Sequence, residues 1–235
     1  MGLRVWILDL LFPPRCVFCR GFLQQKDASY CPACADDLPF CPDERREHLG
    51  DFYSVCVAPL FYQDHVRESI QRFKFHNAQG YRRTYGPLLA ECIETHLSDE
   101  YDFITWAPVS KKRRRKRGYD QGELLAVETA SYLDKPCVST LQKTKDTAPL
   151  SSLGGRVQRR AAIADAYIVP QGSQVSGKRI LLIDDVFTTG ATMSECARCL
   201  LLAGAKEVLC ATLARTPLRE VESLESEIES VVETV

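Results

Sequence analysis

No stretch of this chain approaches the roughly 20 consecutive apolar residues that a membrane-spanning helix needs. The opening, MGLRVWILDLLFPPR, has too short an apolar core and no small-residue cleavage site for a signal peptide. An excess of charge of one sign is also lacking. Thirty Lys and Arg face 31 Asp and Glu, so no global field draws the protein onto nucleic acid or an anionic membrane, and any such binding must be local. Histidine is scarce: His48, His65, His76 and His96 form neither a metal-ligand spacing nor an acid-base pair. No internal repeat or low-complexity tract is present. The expectation is a cytoplasmic protein without membrane insertion, with one main domain and a small appendage in 235 residues.

Cysteine, by contrast, is abundant. Eleven thiols in a chain without secretory features do not read as a disulfide framework, because cytosolic thiols stay reduced. Cys16 and Cys19 form one C-x-x-C and Cys31 and Cys34 a second, separated by a polar, turn-rich segment. Two such knuckles suit tetrahedral Zn2+, and four sulfurs leave no open coordination position, so the ion is expected to be structural. A short segment with little core of its own can be held folded by the roughly 10–16 kcal/mol that such an ion supplies. The alternative is four cysteines packing as small hydrophobes. Cys41 is close enough to be a spare ligand, but no partner cysteine follows it. Cys196 and Cys199 repeat the spacing inside SECARCLLLAGA, where both fall on one helical face among leucines, and burial is expected there.

The rest alternates between strand and helix patterns. VCVAPLFYQ is rich in β-formers. A helix is expected from Asp64, as N-cap, to Phe75, with Val66, Ile70 and Phe73 at helical spacing, and another over residues 85–97. DFITWAPV reads as a strand, followed by the basic run KKRRRKRG and a helix over QGELLAVETASYL. Residues 143–160 read as a long mobile loop, a candidate lid. AYIV and RILLID read as strands, ATMSECARCLLLAG as a helix ended by Gly204, and EVLCATLA as a last strand. Such alternation predicts an α/β fold, a mostly parallel sheet flanked by helices. The expected division is a zinc knuckle and linker over 1–50, the α/β domain over 51–218, and an acidic amphipathic helix over 219–235.

The most informative segment is ILLIDDVFTTGAT, residues 180–192. A buried parallel strand ends at Asp184 and Asp185, and Thr188, Thr189, Gly190, Ala191 and Thr192 then turn the chain into a helix. Ligands bind at this edge of an open α/β sheet. With no Walker-type lysine, an anion there must be held by backbone N–H groups, threonine hydroxyls and the helix N-terminus, with Gly190 letting the backbone approach. Two carboxylates beside an anion site suit a sugar phosphate, whose hydroxyls they can hold. The alternative is a strand leading into a threonine-capped helix, the aspartates satisfied by local turns.

These thirteen residues resemble the PRPP-binding signature of type I phosphoribosyltransferases (PRPP is 5-phosphoribosyl 1-pyrophosphate). Taken with LLFPPRCVFC, CPACADDLP, the FKF around Lys74 and APVSKKRRRKRGYDQGELLA, the chain is similar to the ComF competence family, in which a four-cysteine zinc knuckle precedes such a domain. The resemblance implies that Asp184 and Asp185 hold ribose hydroxyls in the catalytic centre and that Thr188 to Thr192 hold the 5′-phosphate. It places pyrophosphate contacts at Pro108 to Lys111, through Val109, Ser110 and Lys111, and at Arg117, adds Lys74 to the PRPP site, and implies Mg2+ bound with the PRPP. The segment SSLGGRVQRRAAIADAY departs from the family's lid pattern, with Ala162 where an asparagine would fall.

The seven consecutive cations of Lys111 to Arg117 could neutralise several phosphates of single-stranded DNA, with Arg113, Arg114 and Arg115 as contacts and Trp106 and Tyr119 as stacking partners. They could equally be a solvated surface loop. Three functions follow from the resemblance and stay open at this point: a PRPP-binding accessory of DNA uptake that binds single-stranded DNA and works with uptake-machinery proteins, an active phosphoribosyltransferase of nucleotide salvage, or a PRPP-responsive regulator.

Overall fold

The computed structural model describes residues 13–25, 28–42, 47–48, 50–97, 101–147 and 156–217. The elements are α1 (Pro32–Asp37), β1 (Glu47–His48), β2 (Cys56–Val57), β3 (Leu60–Phe61), α2 (Asp64–Phe75), a 3-10 turn (Gln79–Tyr81) and α3 (Arg82–Leu97). They continue with β4 (Phe103–Trp106), α4 (Lys111–Arg117), α5 (Gln121–Tyr132), β5 (Gln142–Lys143), α6 (Arg156–Ile163), β6 (Tyr167–Ile168), β7 (Arg179–Phe187), α7 (Ala191–Leu202) and β8 (Glu207–Arg215). The expected acidic helix over 219–235 lies outside the described residues.

The apolar run RILLI and the β-branched, small-residue strand EVLCATLAR lie side by side as β7 and β8, the parallel centre of a sheet ordered β1-β2-β8-β7-β4. Only β1 runs antiparallel, against β2. β3 extends β2 along β8 in unbroken register, Cys56 opposite Cys210 and Leu60 opposite Ala214. Between them sits Pro59, which has no N–H for the ladder, so the single strand expected over VCVAPLFYQ becomes two short ones.

Side-chain alternation then splits the core in two. Leu181 and Ile183 of β7 point to one face with Leu209, Ala211 and Leu213 of β8, and α2, α3 and α5 cover them. Ile180 and Leu182 point to the other, where α6, α7 and the β5-β6 ribbon pack. Both faces are buried, as a parallel sheet requires. Cys196 and Cys199 lie in the second core as expected.

Three expectations need correction. Asp64 is the first residue of α2, preceded by Gln63 at the cap. The basic run is a helix: Ser110 accepts the Arg113 N–H at its start, and Gly118, at φ 83°, ends it. AYIV does not join the main sheet, because β6 pairs antiparallel with β5. The expected loop over 143–160 begins in β5 and ends inside α6, and its middle, 148–155, lies outside the described residues. α6 is tied to α7 by Glu195, which accepts from the Asp165 N–H at 2.8 Å and pairs with Arg198.

Candidate functional site

Two constructions meet at α2, a cysteine cluster behind it and a polar cavity in front. The Sγ atoms of Cys16, Cys19, Cys31 and Cys34 all lie within 4.8 Å of one another, and those of Cys19 and Cys31 are 3.7 Å apart. Four sulfurs placed tetrahedrally about 2.3 Å from one ion stand about 3.8 Å apart, so the donor set fits Zn2+ with side-chain shifts of no more than about 1 Å. Burial and the neighbouring sulfurs push the Cys34 thiol up, as expected where four thiols are crowded with no cation to favour ionisation. Zinc held by Cys16, Cys19, Cys31 and Cys34 would supply that charge and join the two knuckles into one unit.

This unit is fastened to α2. The Val17 carbonyl accepts from Ser69 Oγ at 2.9 Å and from Arg72 Nη2 at 3.0 Å, and the Phe18 carbonyl accepts from Arg72 as well. Ser69 also bonds the Tyr85 hydroxyl, and the fully buried Phe18 packs on Tyr30 and Tyr85. Cys16, Phe18, Cys34 and Leu38 therefore belong to the same core as α2 and α3.

The opposite side of α2 faces a cavity of about 390 Å³ at the carboxyl ends of β4 and β7. Arg67, Gln71 and Lys74 line it from α2, at the i, i+4, i+7 positions of one face. β7 supplies Asp184 and Asp185, and the turn after it Thr188 and Thr192. Consecutive strand residues point to opposite faces, so the two acids diverge. Asp185 turns toward α2, where its Oδ1 lies 2.7 Å from Lys74 Nζ. The Asp184 carboxyl accepts the Asp185 N–H at 2.8 Å, and burial together with the Asp185 charge pushes it up to about 8. Asp185 Oδ2 and Thr189 Oγ1 are buried without a hydrogen-bonding partner among the described residues. Such orphaned atoms are rare in a folded protein unless a ligand, ion or water serves them.

Gly190 precedes α7 at φ 72°, and a Cβ there would meet the Phe187 ring at 2.8 Å and the Tyr53 hydroxyl at 3.1 Å. The requirement for glycine visible in the structure is thus conformational. Thr189, Gly190 and Ala191 form the turn beneath the cavity, while Thr188 and Thr192 reach its wall.

Helix formation divides the basic run. Arg113 and Arg117, one turn apart, line the cavity, whereas Lys111, Lys112, Arg114, Arg115 and Lys116 are exposed. Arg117 donates to Gln121 Oε1 at 2.6 Å and stacks on the Phe75 ring at 4.7 Å. Arg113 donates to the Thr147 carbonyl at 2.6 Å, and Arg114 pairs outward with Glu123 at 2.8 Å. Val109 lines the cavity, its N–H held by Asp120. Ser110 caps α4 and donates to Asp146 at 2.6 Å, and neither it nor Lys111 lines the cavity. Trp106 and Tyr119, expected as stacking partners, are buried, and the Tyr119 hydroxyl donates to the Phe73 carbonyl. The exposed aromatic beside the cations is Phe75.

Several lining residues carry no local sequence signal. Lys143, 7% exposed, reaches in from β5 and donates to the Tyr167 hydroxyl at 3.2 Å. Burial, followed by the nearby Arg113 charge, pulls its ammonium below the ordinary lysine value. Arg67 and Gln71 were open to detection as the polar face flanking the Val66, Ile70, Phe73 stripe, about 100° round the helix. Lys143 and Tyr167 were not, since their place depends on how the β5-β6 ribbon packs. No helix among the described residues is long and apolar enough to cross a membrane.

A family model described as phosphoribosyl transferase domain matches residues 120–234, and one described as double zinc ribbon domain matches residues 7–51. The chain is 28% identical over 226 residues to Competence protein F of Haemophilus influenzae, covering 86% of this chain and 96% of that protein. It is 28% identical over 209 residues to Competence protein ComFC of Bacillus subtilis, covering 86% and 84%. Its identity to DNA utilization protein YhgH of Escherichia coli is 28% over 193 residues, covering 79% and 78%. With the four-cysteine cluster and the mostly parallel sheet, these matches show a zinc ribbon joined to a phosphoribosyltransferase-type α/β domain, in a chain that is similar over most of its length to competence proteins of the ComF type.

Proposed function

We propose that the cavity binds PRPP with Mg2+ and that the protein serves DNA uptake in natural transformation, binding single-stranded DNA on the outer face of α4. The observation that supports PRPP is the order of charges along the cavity. α2 begins two residues after Tyr62, whose N–H donates to the Arg215 carbonyl, and the neighbouring Thr216 N–H donates to the Phe187 carbonyl. Its first turns therefore adjoin the threonine turn, and its last turn meets α4 through Lys74, Phe75 and Arg117. Arg67 and Lys74 are about 10 Å apart along the axis at 1.5 Å per residue. The cavity is donor-rich at the threonine turn, acidic at Asp184 and Asp185, and cationic again at Arg113, Arg117 and Lys143. PRPP has the matching sequence of 5′-phosphate, ribose hydroxyls and pyrophosphate.

Asp185 Oδ2, unpartnered, and Asp184 are the groups suited to ribose hydroxyls, and Thr188, Thr189 and Thr192 to the 5′-phosphate. Val109, Arg113, Arg117 and Lys143 suit the pyrophosphate, and Mg2+ would supply charge neutralisation between pyrophosphate and ribose oxygens. Lys74 acts by holding Asp185. Arg113 gives up its bond to the Thr147 carbonyl when it turns to a ligand.

The competence relatives and the exposed cations support the DNA role. Neutralising Lys111 and Arg115 should lower the salt slope of single-stranded DNA binding by about 1.4, at roughly 0.7 per lost phosphate contact. An unchanged slope removes the DNA claim. Release of pyrophosphate from PRPP with any nucleobase would replace this reading with a salvage phosphoribosyltransferase.

A further inference from the structure

The Arg117–Phe75 stack is a partition. Beyond it lies a second cavity of about 430 Å³, lined among others by Phe75 and His76 at the end of α2, by Arg113, Lys116 and Arg117 of α4, and by Tyr119. Among the described residues no carboxylate lines it, in contrast to the first cavity with its two acids. An anion entering here meets cations and nothing of its own sign. Phe75 is 62% exposed, although it ends a helix whose other large apolar residues are buried, and a cation already occupies one position over its ring. A volume of this size suits a small ligand. A ring-stacking platform beside clustered cations is the two-part recognition that a base and its phosphate require.

We propose that this second cavity is a nucleotide site, in which an aromatic base stacks on Phe75 and its phosphate lies against Lys116 and the shared Arg113. The ligand is either a free mononucleotide or the terminal nucleotide of a single strand. The site goes beyond the PRPP reading, since His76, Lys116 and Tyr119 line the second cavity and not the first. Because the two cavities share Lys74, Phe75, Arg113 and Arg117, occupants of both are adjacent, and each draws on the same two guanidinium groups.

The test uses the full-length zinc-loaded protein and 2-aminopurine riboside 5′-monophosphate, whose fluorescence falls on stacking. Saturable quenching is expected, with saturating PRPP and Mg2+ weakening it by less than about tenfold through competition for the shared arginines. Phe75→Leu should weaken binding by about fivefold or more. Lys116→Ala, at an exposed position unconnected to the core, should weaken it about three- to tenfold, and the riboside lacking phosphate should bind at least about tenfold more weakly. An oligonucleotide with 2-aminopurine at its end that binds better than the monophosphate assigns the strand terminus; the reverse assigns the free nucleotide. Absence of quenching, complete displacement by PRPP, or equal affinity in Phe75→Leu and Lys116→Ala overturns the site. PRPP titrated alone by calorimetry reads the first cavity separately, so failure of either reading leaves the other measurable.

Discussion

Replacing Lys74 by methionine isolates the ion pair on which the orientation of the acids depends. The ammonium lies 2.7 Å from Asp185 Oδ1, with the lysine side chain 19% and the aspartate 6% exposed. Methionine keeps most of the stem's volume and removes the charge, leaving a buried carboxylate without its counter-ion. Breaking a buried pair from one side costs about 3–5 kcal/mol, against roughly 1 kcal/mol or less for an exposed pair. With a urea slope of about 2–3 kcal/mol per M for a chain of this size, the unfolding midpoint should fall by about 1–2 M. The double variant Lys74→Met/Asp185→Asn removes both charges, and it should lose less than the sum of the two single losses. A midpoint shift below about 0.3 M for Lys74→Met, or strictly additive losses, would refute the reasoning and reduce the pair to a surface contact.

Removing one ligand from each knuckle with Cys16→Ser/Cys31→Ser should abolish binding of the single zinc ion that the four-cysteine cluster fits, read by metal analysis of the purified protein. It should also weaken PRPP binding, because Ser69 and Arg72 tie the knuckle to the helix that carries Arg67 and Lys74; unchanged PRPP affinity in the zinc-free protein would separate the two. Asp184, raised from 3.8 to about 8, keeps its proton in the folded state after the unfolded chain has released it. Its contribution to stability is therefore full below about pH 4 and is lost as pH rises to about 8. The Tm difference between the unliganded wild type and Asp184→Asn should shift against the wild type across that window, and a pH-independent difference would contradict it. Gly190→Ala should cost about 1–3 kcal/mol from the left-handed backbone and the Phe187 contact, read as a Tm lower by several degrees; an unchanged Tm would show that the turn relaxes freely.

The parts of this fold that were legible in the sequence carry their own periodicity. Val66, Ile70 and Phe73 mark the buried stripe of α2 over its whole length, and RILLI marks the central strand. The cysteine spacing is equally local, because each C-x-x-C wraps an ion by itself. The basic run shows the limit of pattern reading: seven cations have no apolar period, and only Ser110 before them and Gly118 after them signal a helix. That helix then decides which cations reach the cavity, since it turns Arg113 and Arg117 inward and leaves Arg115 outside. The β5-β6 ribbon is illegible for a different reason. Lys143 and Tyr167 are far apart in the chain and meet through packing against α7. Trp106 and Tyr119 look available in the sequence, but the strand and the Phe73 carbonyl claim them, and the aromatic left outside is Phe75, one residue past the pair-forming Lys74.

The central claim is that one cavity holds a phosphorylated ribose between the threonine turn and the α4 cations, with Asp184 and Asp185 on its hydroxyls. Isothermal calorimetry of PRPP and Mg2+ against wild type and Asp184→Asn/Asp185→Asn tests it most directly. The account predicts one site per chain in the wild type and an affinity at least about tenfold weaker in the double variant, from the loss of the charge-assisted contact of Asp185 and the hydrogen bond of Asp184. Binding of equal strength in both proteins, or no heat of binding in the wild type, would contradict it.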